Sequence, residues 1–230
     1  MKIVVNEQLI NRNKKIGQYT SIASLIVLAA GLFASFNVQY INWSFVALIA
    51  GFVMSQVGIY FGNRWGRSPR PDEKLTQALK GIGDKYTLYH YTTKIPHLLV
   101  GPAGIWALIP YHQGGTILYD SKNGRFKQKG GNLYLKIFAQ ESLGRPEAEV
   151  KAVRQDAAAY LNAKINGVEL PDVEPLLVFT NPKAVLQCEE APIPALPIEK
   201  LKDFIRKRAK EQPILPETSQ IIQKTLPQEK

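Results

Sequence analysis

"KIPHLLVGPAGIWALIPYHQGG", residues 94–115, carries two apolar runs on either side of Gly101-Pro102-Ala103-Gly104. Neither "HLLVG" nor "GIWALIP" alternates polar with apolar residues, so each reads as a strand buried on both faces. Strands of that kind form the middle of a sheet, and a sheet covered on both faces requires helices on both sides. The fold class is therefore α/β with a mixed sheet. The second strand leaves through Pro110-Tyr111-His112-Gln113-Gly114-Gly115. Strand ends are where such sheets open toward ligands, yet this hairpin holds no carboxylate.

The flanking elements follow outward from this pair. Upstream, "YTLYHYT" (86–92) alternates as a strand does. Pro71, Asp72 and Glu73 form the acidic start of a helix to Lys80, which Gly81 and Gly83 end. Downstream, "TILYDSKNGRFKQ" reads as a hairpin about Asn123-Gly124, a pair suited to a type I′ turn. Residues 145–165 form a helix with a stripe of Val150, Val153, Ala157, Tyr160 and Leu161. "EPLLVFTN" (174–181) is another buried strand, and 197–210 an amphipathic helix with Leu201, Phe204 and Ile205 inward. The Pro- and charge-rich residues 211–230 read as a flexible tail.

The N-terminal quarter has a different character. No Asp, Glu, Lys, Arg or His occurs from Gln18 to Asn63. Tyr19 to Phe36 and Ile41 to Phe61 each approach the roughly 20 apolar residues that a bilayer core requires. A soluble core helix of this length keeps a polar face, and a cleaved signal has a shorter apolar part with no second span directly behind it. Gly31, Gly51 and Gly58, with Ala30, Ala34, Ala47 and Ala50, permit close helix approach, while Tyr40, Trp43, Tyr60 and Trp65 fit interfacial positions. Arg12, Lys14 and Lys15 precede the hairpin, and Arg64, Arg67 and Arg70 follow it. The positive-inside rule thus places both termini in the cytoplasm of a prokaryotic cell, with the protein in its inner membrane. The domains expected are a basic N-terminus (1–17), a transmembrane hairpin (18–63), a linker (64–71), an α/β domain (72–210) and the tail (211–230).

The formal charge is +10, from 29 Lys and Arg against 19 Asp and Glu. Such a balance suits nucleic acid or anionic lipid as a partner. Lone Cys188 excludes an internal disulfide and a cysteine-built zinc site. There is no Gly-rich phosphate loop and no Ser-His-Asp or Cys-His arrangement.

The strand–turn–strand "IPHLLVGPAGIWALIP", followed by "PEAEVKAVRQDAAAYL" and "PLLVFTN", resembles the nuclease-related domain family, known as NERD, over roughly residues 70–210. The resemblance implies a restriction-endonuclease-like fold. It also implies an acid in the first helix, an Asp just before the "HLLVGP" strand and a Glu-x-Lys closing the next. In such a site carboxylates hold Mg²⁺ and the lysine helps activate water. Here the first acid is Asp72 or Glu73, but the Asp position is Pro96, and Ile109 and Tyr111 stand at Glu-x-Lys. The expectation is a catalytically degenerate copy without metal or cofactor, acting as a binding or scaffold protein at the lipid bilayer, alone or with copies of itself. The runner-up is a membrane-tethered nucleic-acid-binding protein or nuclease, and a third reading is a structural membrane protein that assembles with copies of itself.

Two residual groups remain. His97 and His112 bracket the hairpin and could meet at a sheet end, and His90 among tyrosines reads as a stacked surface residue. Lys122, Arg125, Lys127, Lys129, Lys136, Arg145, Lys151 and Arg154, interleaved with Phe126, Tyr134 and Phe138, form a basic set suited to nucleic acid or to anionic headgroups.

Overall fold

The computed structural model describes residues 1–130, 142–165 and 170–228. In chain order its elements are β1 (Lys2–Val5), α1 (Glu7–Ser35), α2 (Ile41–Phe61), α3 (Pro71–Ala78), β2 (Thr87–His90), β3 (His97–Gly101), β4 (Gly104–Tyr111), β5 (Gly115–Asp120) and β6 (Arg125–Lys129). Then follow α4 (Pro146–Lys164), β7 (Val173–Phe179), β8 (Ala184–Gln187), β9 (Ala195–Pro197), α5 (Leu201–Glu211) and α6 (Pro216–Thr225). The chain divides into two compact units. One is Glu7–Arg70; the other joins Met1–Asn6 to the described residues from Pro71 onward.

The larger unit is a mixed α/β fold. Its main sheet has the order β1-β2-β3-β4-β7-β9, with β3 antiparallel to both neighbours and the remaining pairs parallel. The hairpin that decides the fold lies in its middle, as its apolar character requires. Gly101 pairs with Gly104 across a two-residue turn, Gly104 has φ +103°, and the Tyr86 ring fills the space a side chain at Gly101 would need. Alternation along β4 sends its side chains to two cores. Trp106 and Leu108 pack with Leu75 of α3, Leu79 just past its end, and Leu201 and Ile205 of α5. Ile105 and Ala107 pack with Ala157 and Leu161 of α4 and Ile222 of α6. The result is a sheet between two helical layers.

A second sheet, β6-β5-β8, packs its inner face beyond the ends of β4 and β7. Ile117, Phe126 and Cys188 meet Ile109, Tyr111, Val150 and Phe179 in a third core cluster. The β5–β6 connection is not the expected two-residue type I′ turn. Asp120 pairs with Arg125, leaving four residues between, and Asn123 is not among the residues with positive φ. The Asp120 carboxylate organises this loop by accepting from Lys122 N (3.1 Å) and Asn123 Nδ2 (2.7 Å), and Gly124 takes the left-handed position at φ +62°.

Four short elements, β1, β8, β9 and α6, escaped the sequence expectations, and two domain boundaries change with them. Residues 1–17 are not a separate basic segment: β1 pairs in register with β2, Lys2 with Thr87 through Val5 with His90, and α1 already begins at Glu7. Residues 211–230 are not a flexible tail, because α6 buries Ile222 completely and Leu226 packs behind it. β8 and β9 are edge strands of four and three residues. The expected linker begins within a π-helical turn, Gly62–Gly66, that continues α2.

The smaller unit is an antiparallel helical pair. Gly17 meets Phe61, Ser21 meets Gly58, Leu28 meets Gly51, and Gly31 meets Ala47 and Leu48. A Cβ at Gly51 would lie 2.7 Å from Leu28 Cγ, so the backbones approach only because these positions are glycine. Ser44 Oγ ties the helices further by donating to Gly31 O at 2.7 Å. Ala47 lies in this seam, whereas Ala30 and Ala50 face outward. Both helices are long and apolar enough to cross a membrane. Their outer faces are apolar too: among described residues, every exposed large hydrophobic except Val185, Leu215 and Ile221 lies between Tyr19 and Tyr60. A soluble core helix would bury those side chains.

Candidate functional site at the strand ends

Five of the six main-sheet strands run in one direction, so β2, β4 and β7 end at a common edge, where α/β sheets bind ligands. Continuing the β3–β4 register past Leu98 and Ala107 sets Pro96 opposite Ile109 at that edge. The structure therefore brings the resemblance-derived strand positions to one end of the sheet. It does not bring them to one face. Asp72, 3% exposed, lies in the first turn of α3, whose Leu75 packs on the face of Trp106 and Leu108. Ile109 and Tyr111 belong to the core cluster on the opposite face, with Val150 of α4. Pro96 contributes its carbonyl, which accepts from Tyr91 N at 2.8 Å. The β4 residues sharing the α3 side are Leu108 and, by alternation, Pro110, which bring no carboxylate.

Tyr111 is held as a neutral phenol. Its hydroxyl donates to Glu149 Oε2 at 2.5 Å, its ring stacks on Phe179 at 5.5 Å, and burial, then the Glu149 charge, push its pKa far above the ordinary tyrosine value. It therefore supplies no positive charge where a lysine would. Cys188 is buried, and burial followed by the Glu189 charge raises its thiol pKa, so it lacks the thiolate character of a nucleophile.

The histidines rearrange the expectation. His97 pairs with His90, its direct cross-strand partner, and not with His112. The two Nδ1 atoms stand 2.8 Å apart, and His90 Nε2 is 3.0 Å from Thr76 Oγ1, one helical turn after Asp72. His90 is 1% and His97 2% exposed, so His90 is a core residue and not a stacked surface one. Only one proton fits between the two Nδ1 atoms, so one ring donates and the other accepts. Tyr91, at φ +58°, sets its ring edge-on to His97 at 4.8 Å. His112 lies past β4, with Nδ1 3.4 Å from Thr180 Oγ1. Asn181 Nδ2 donates to His112 O at 3.0 Å, bracing the polar exit of the hairpin against β7. No three His, Cys, Asp or Glu side chains among the described residues converge as metal ligands.

The basic set is not one surface. Arg125, Lys127 and Lys129 are exposed on alternate positions of β6, with Lys122 in the adjoining turn. Phe126 between them points into the third core cluster and packs edge-on to Tyr119 at 5.2 Å, so it offers no stacking platform. Arg145 precedes α4, while Lys151 and Arg154 lie on that helix. Lys151 and Arg154 line a concavity of about 310 Å³ with Glu147, Gln155, Pro192 and Ile193. Arg154 lies 3.9 Å from Glu174. Lys136, Tyr134 and Phe138 fall outside the described residues.

Sequence reasoning missed Glu149, Thr180 and the His90–His97 pairing. A hydrogen bond from α4 to a strand end has no local signature, and 97–101 has no alternation that would fix its register against 86–92, so the His90–His97 pairing is seen only in the sheet. No family model matches the chain, and neither does any curated protein or solved structure.

Proposed function

We propose that this chain is a membrane-anchored binding or scaffold protein, in which α1 and α2 cross a prokaryotic inner membrane and hold the sheet unit at its cytoplasmic face. The observation that carries the reading is the pairing of β1 with β2. Residues 2–5 and 87–90 share one sheet, yet two apolar helices separate them in the chain. A chain that returns to the same sheet crosses a bilayer an even number of times, as two spans do. Cleavage of a leader within α1 would remove β1, which argues against a signal peptide. Arg12, Lys14 and Lys15 before the hairpin, with Arg64, Arg67 and Arg70 after it, support the cytoplasmic side.

The order α3-β2-β3-β4-α4-β7 supports the nuclease-related resemblance as an ancestry of the sheet unit. The residues at its chemical positions support a role without hydrolysis. Pro96, Ile109 and Tyr111 cannot ligate Mg²⁺ or supply a cation, and Asp72 faces away from the last two. Cleavage of DNA or RNA by the purified chain with Mg²⁺ would overturn that part.

Cysteine labelling tests the topology. On a Cys188→Ser background, an impermeant maleimide added outside the cell labels Gln39→Cys, in the connection between the helices, and leaves Thr225→Cys unmodified. The reverse pattern overturns the orientation, and equal labelling of both overturns the anchor.

A further inference from the structure

The outward face of the second sheet has no role in the site above. Registers Thr116–Lys129, Leu118–Lys127 and Asp120–Arg125, with Thr116–Val185 and Leu118–Gln187, set these residues on one face of β6-β5-β8. Their neighbours Ile117, Tyr119, Phe126, Ala184 and Leu186 point into the core. The face is thus a row of three cations on an edge strand, with Lys122 and Lys183 at its margins and an aliphatic patch of Leu118 and Val185 beside it. Val185 is 54% exposed, one of three exposed large apolar side chains among the described residues of this unit, with Leu215 and Ile221, and of the three it alone lies on a strand.

Among the described residues the face carries one carboxylate, Asp120, already engaged by Lys127 Nζ at 2.6 Å and held well below the usual carboxylate range, at about 2, by that bond and the one from Asn123. Glu189 and Glu190 follow beyond the end of β8. Arg125, Lys129, Lys122 and Lys183 have no ion pair among the described residues. Arg125 and Lys129, four strand residues and so about 14 Å apart on either side of the paired Lys127, call for an extended anionic partner. The uncharged part of the face decides between the candidates. Nucleic acid would use aromatic stacking, but both aromatic residues of this hairpin face the core. Exposed Val185 and half-buried Leu118 amid cations suit a lipid surface, where the cations meet anionic headgroups and the aliphatics meet the acyl boundary.

We propose that this face docks on anionic phospholipid at the surface of the membrane that anchors the chain. The inference rests on the anchor reading and adds to it the lipid class and the surface that binds it. The test uses the full chain in nanodiscs of phosphatidylcholine, with or without phosphatidylglycerol, read by backbone hydrogen exchange. Amides of 115–129 and 184–187 exchange severalfold more slowly when phosphatidylglycerol is present. High salt reverses the slowing, and Arg125→Glu with Lys129→Glu abolishes it. Equal exchange in both kinds of disc, with the protein inserted, overturns this inference alone. Slowing by an added oligonucleotide in phosphatidylcholine discs, without an effect of phosphatidylglycerol, overturns it in favour of nucleic acid. Failure of the chain to enter either disc overturns the anchor and the docking face together.

Discussion

Tyr89 shows how closely single residues are tied to the layers around them. It lies on the face of the sheet covered by α6, and its hydroxyl donates to Gln223 O at 3.4 Å. Burial pushes its pKa up to about 12, against a hydrogen bond with Thr87 that lowers it and with Tyr160 raising it further. An unfolded tyrosine ionises near 10, so the folded state keeps the proton where the unfolded state loses it. The stabilisation is whole below about pH 10 and is lost as pH rises through about 12. Denaturant midpoints are therefore expected to fall across that window, and Tyr89→Phe is expected to shallow the fall. Tyr111 titrates in the same direction and retains part of it. Burial of such residues was legible only in outline. The absence of alternation in β3 and β4 foretold that both faces are covered, whereas the resemblance left the first-helix acid open between Asp72 and Glu73. Which face each side chain takes follows from strand register, and this separates Asp72 from Ile109 and Tyr111 and turns Phe126 inward.

At the scale of elements, α6 is the clearest departure from expectation. Its ten residues follow a proline-rich approach and contain two isoleucines, too little periodicity to mark a helix. Tertiary contacts supply what the local pattern lacks. Ile222 is fully buried against the sheet, and Gln223 Nε2 donates to Val100 O and Lys85 O, each at 3.0 Å. Ile222→Ala is expected to cost about 2–5 kcal/mol in chemical denaturation, as a large-to-small core change does. A mobile tail would give no measurable change. β1 escaped notice for a similar reason, since "KIVV" is four residues long and only its partner β2 distinguishes it from the start of a helix. The long elements, α4 and the central hairpin, were readable because their periodicity extends over enough residues to exceed chance.

On the scale of the whole molecule, the sheet unit is interrupted in the chain by the helical pair. A fragment beginning at Pro71 lacks β1, so it exposes the β2 edge and loses Val4 from the second core cluster. Residues 1–6 joined to Pro71 through a flexible Gly-Ser linker are expected to raise the melting temperature of that fragment by several degrees. Equal melting of the two proteins would show that β1 adds nothing to the fold. The same interruption sets an order of events during synthesis. β1 leaves the ribosome first, but its partner β2 follows about 85 residues later, a delay on the order of 4–17 s at usual translation rates. For most of that interval the elements made after β1 are α1 and α2, which pack on each other through their glycine seam, and α3 follows just before β2. Under the anchor proposed above, insertion of the hairpin comes before closure of the sheet, and a chain whose helices do not insert reaches β2 with β1 tethered to an exposed apolar segment.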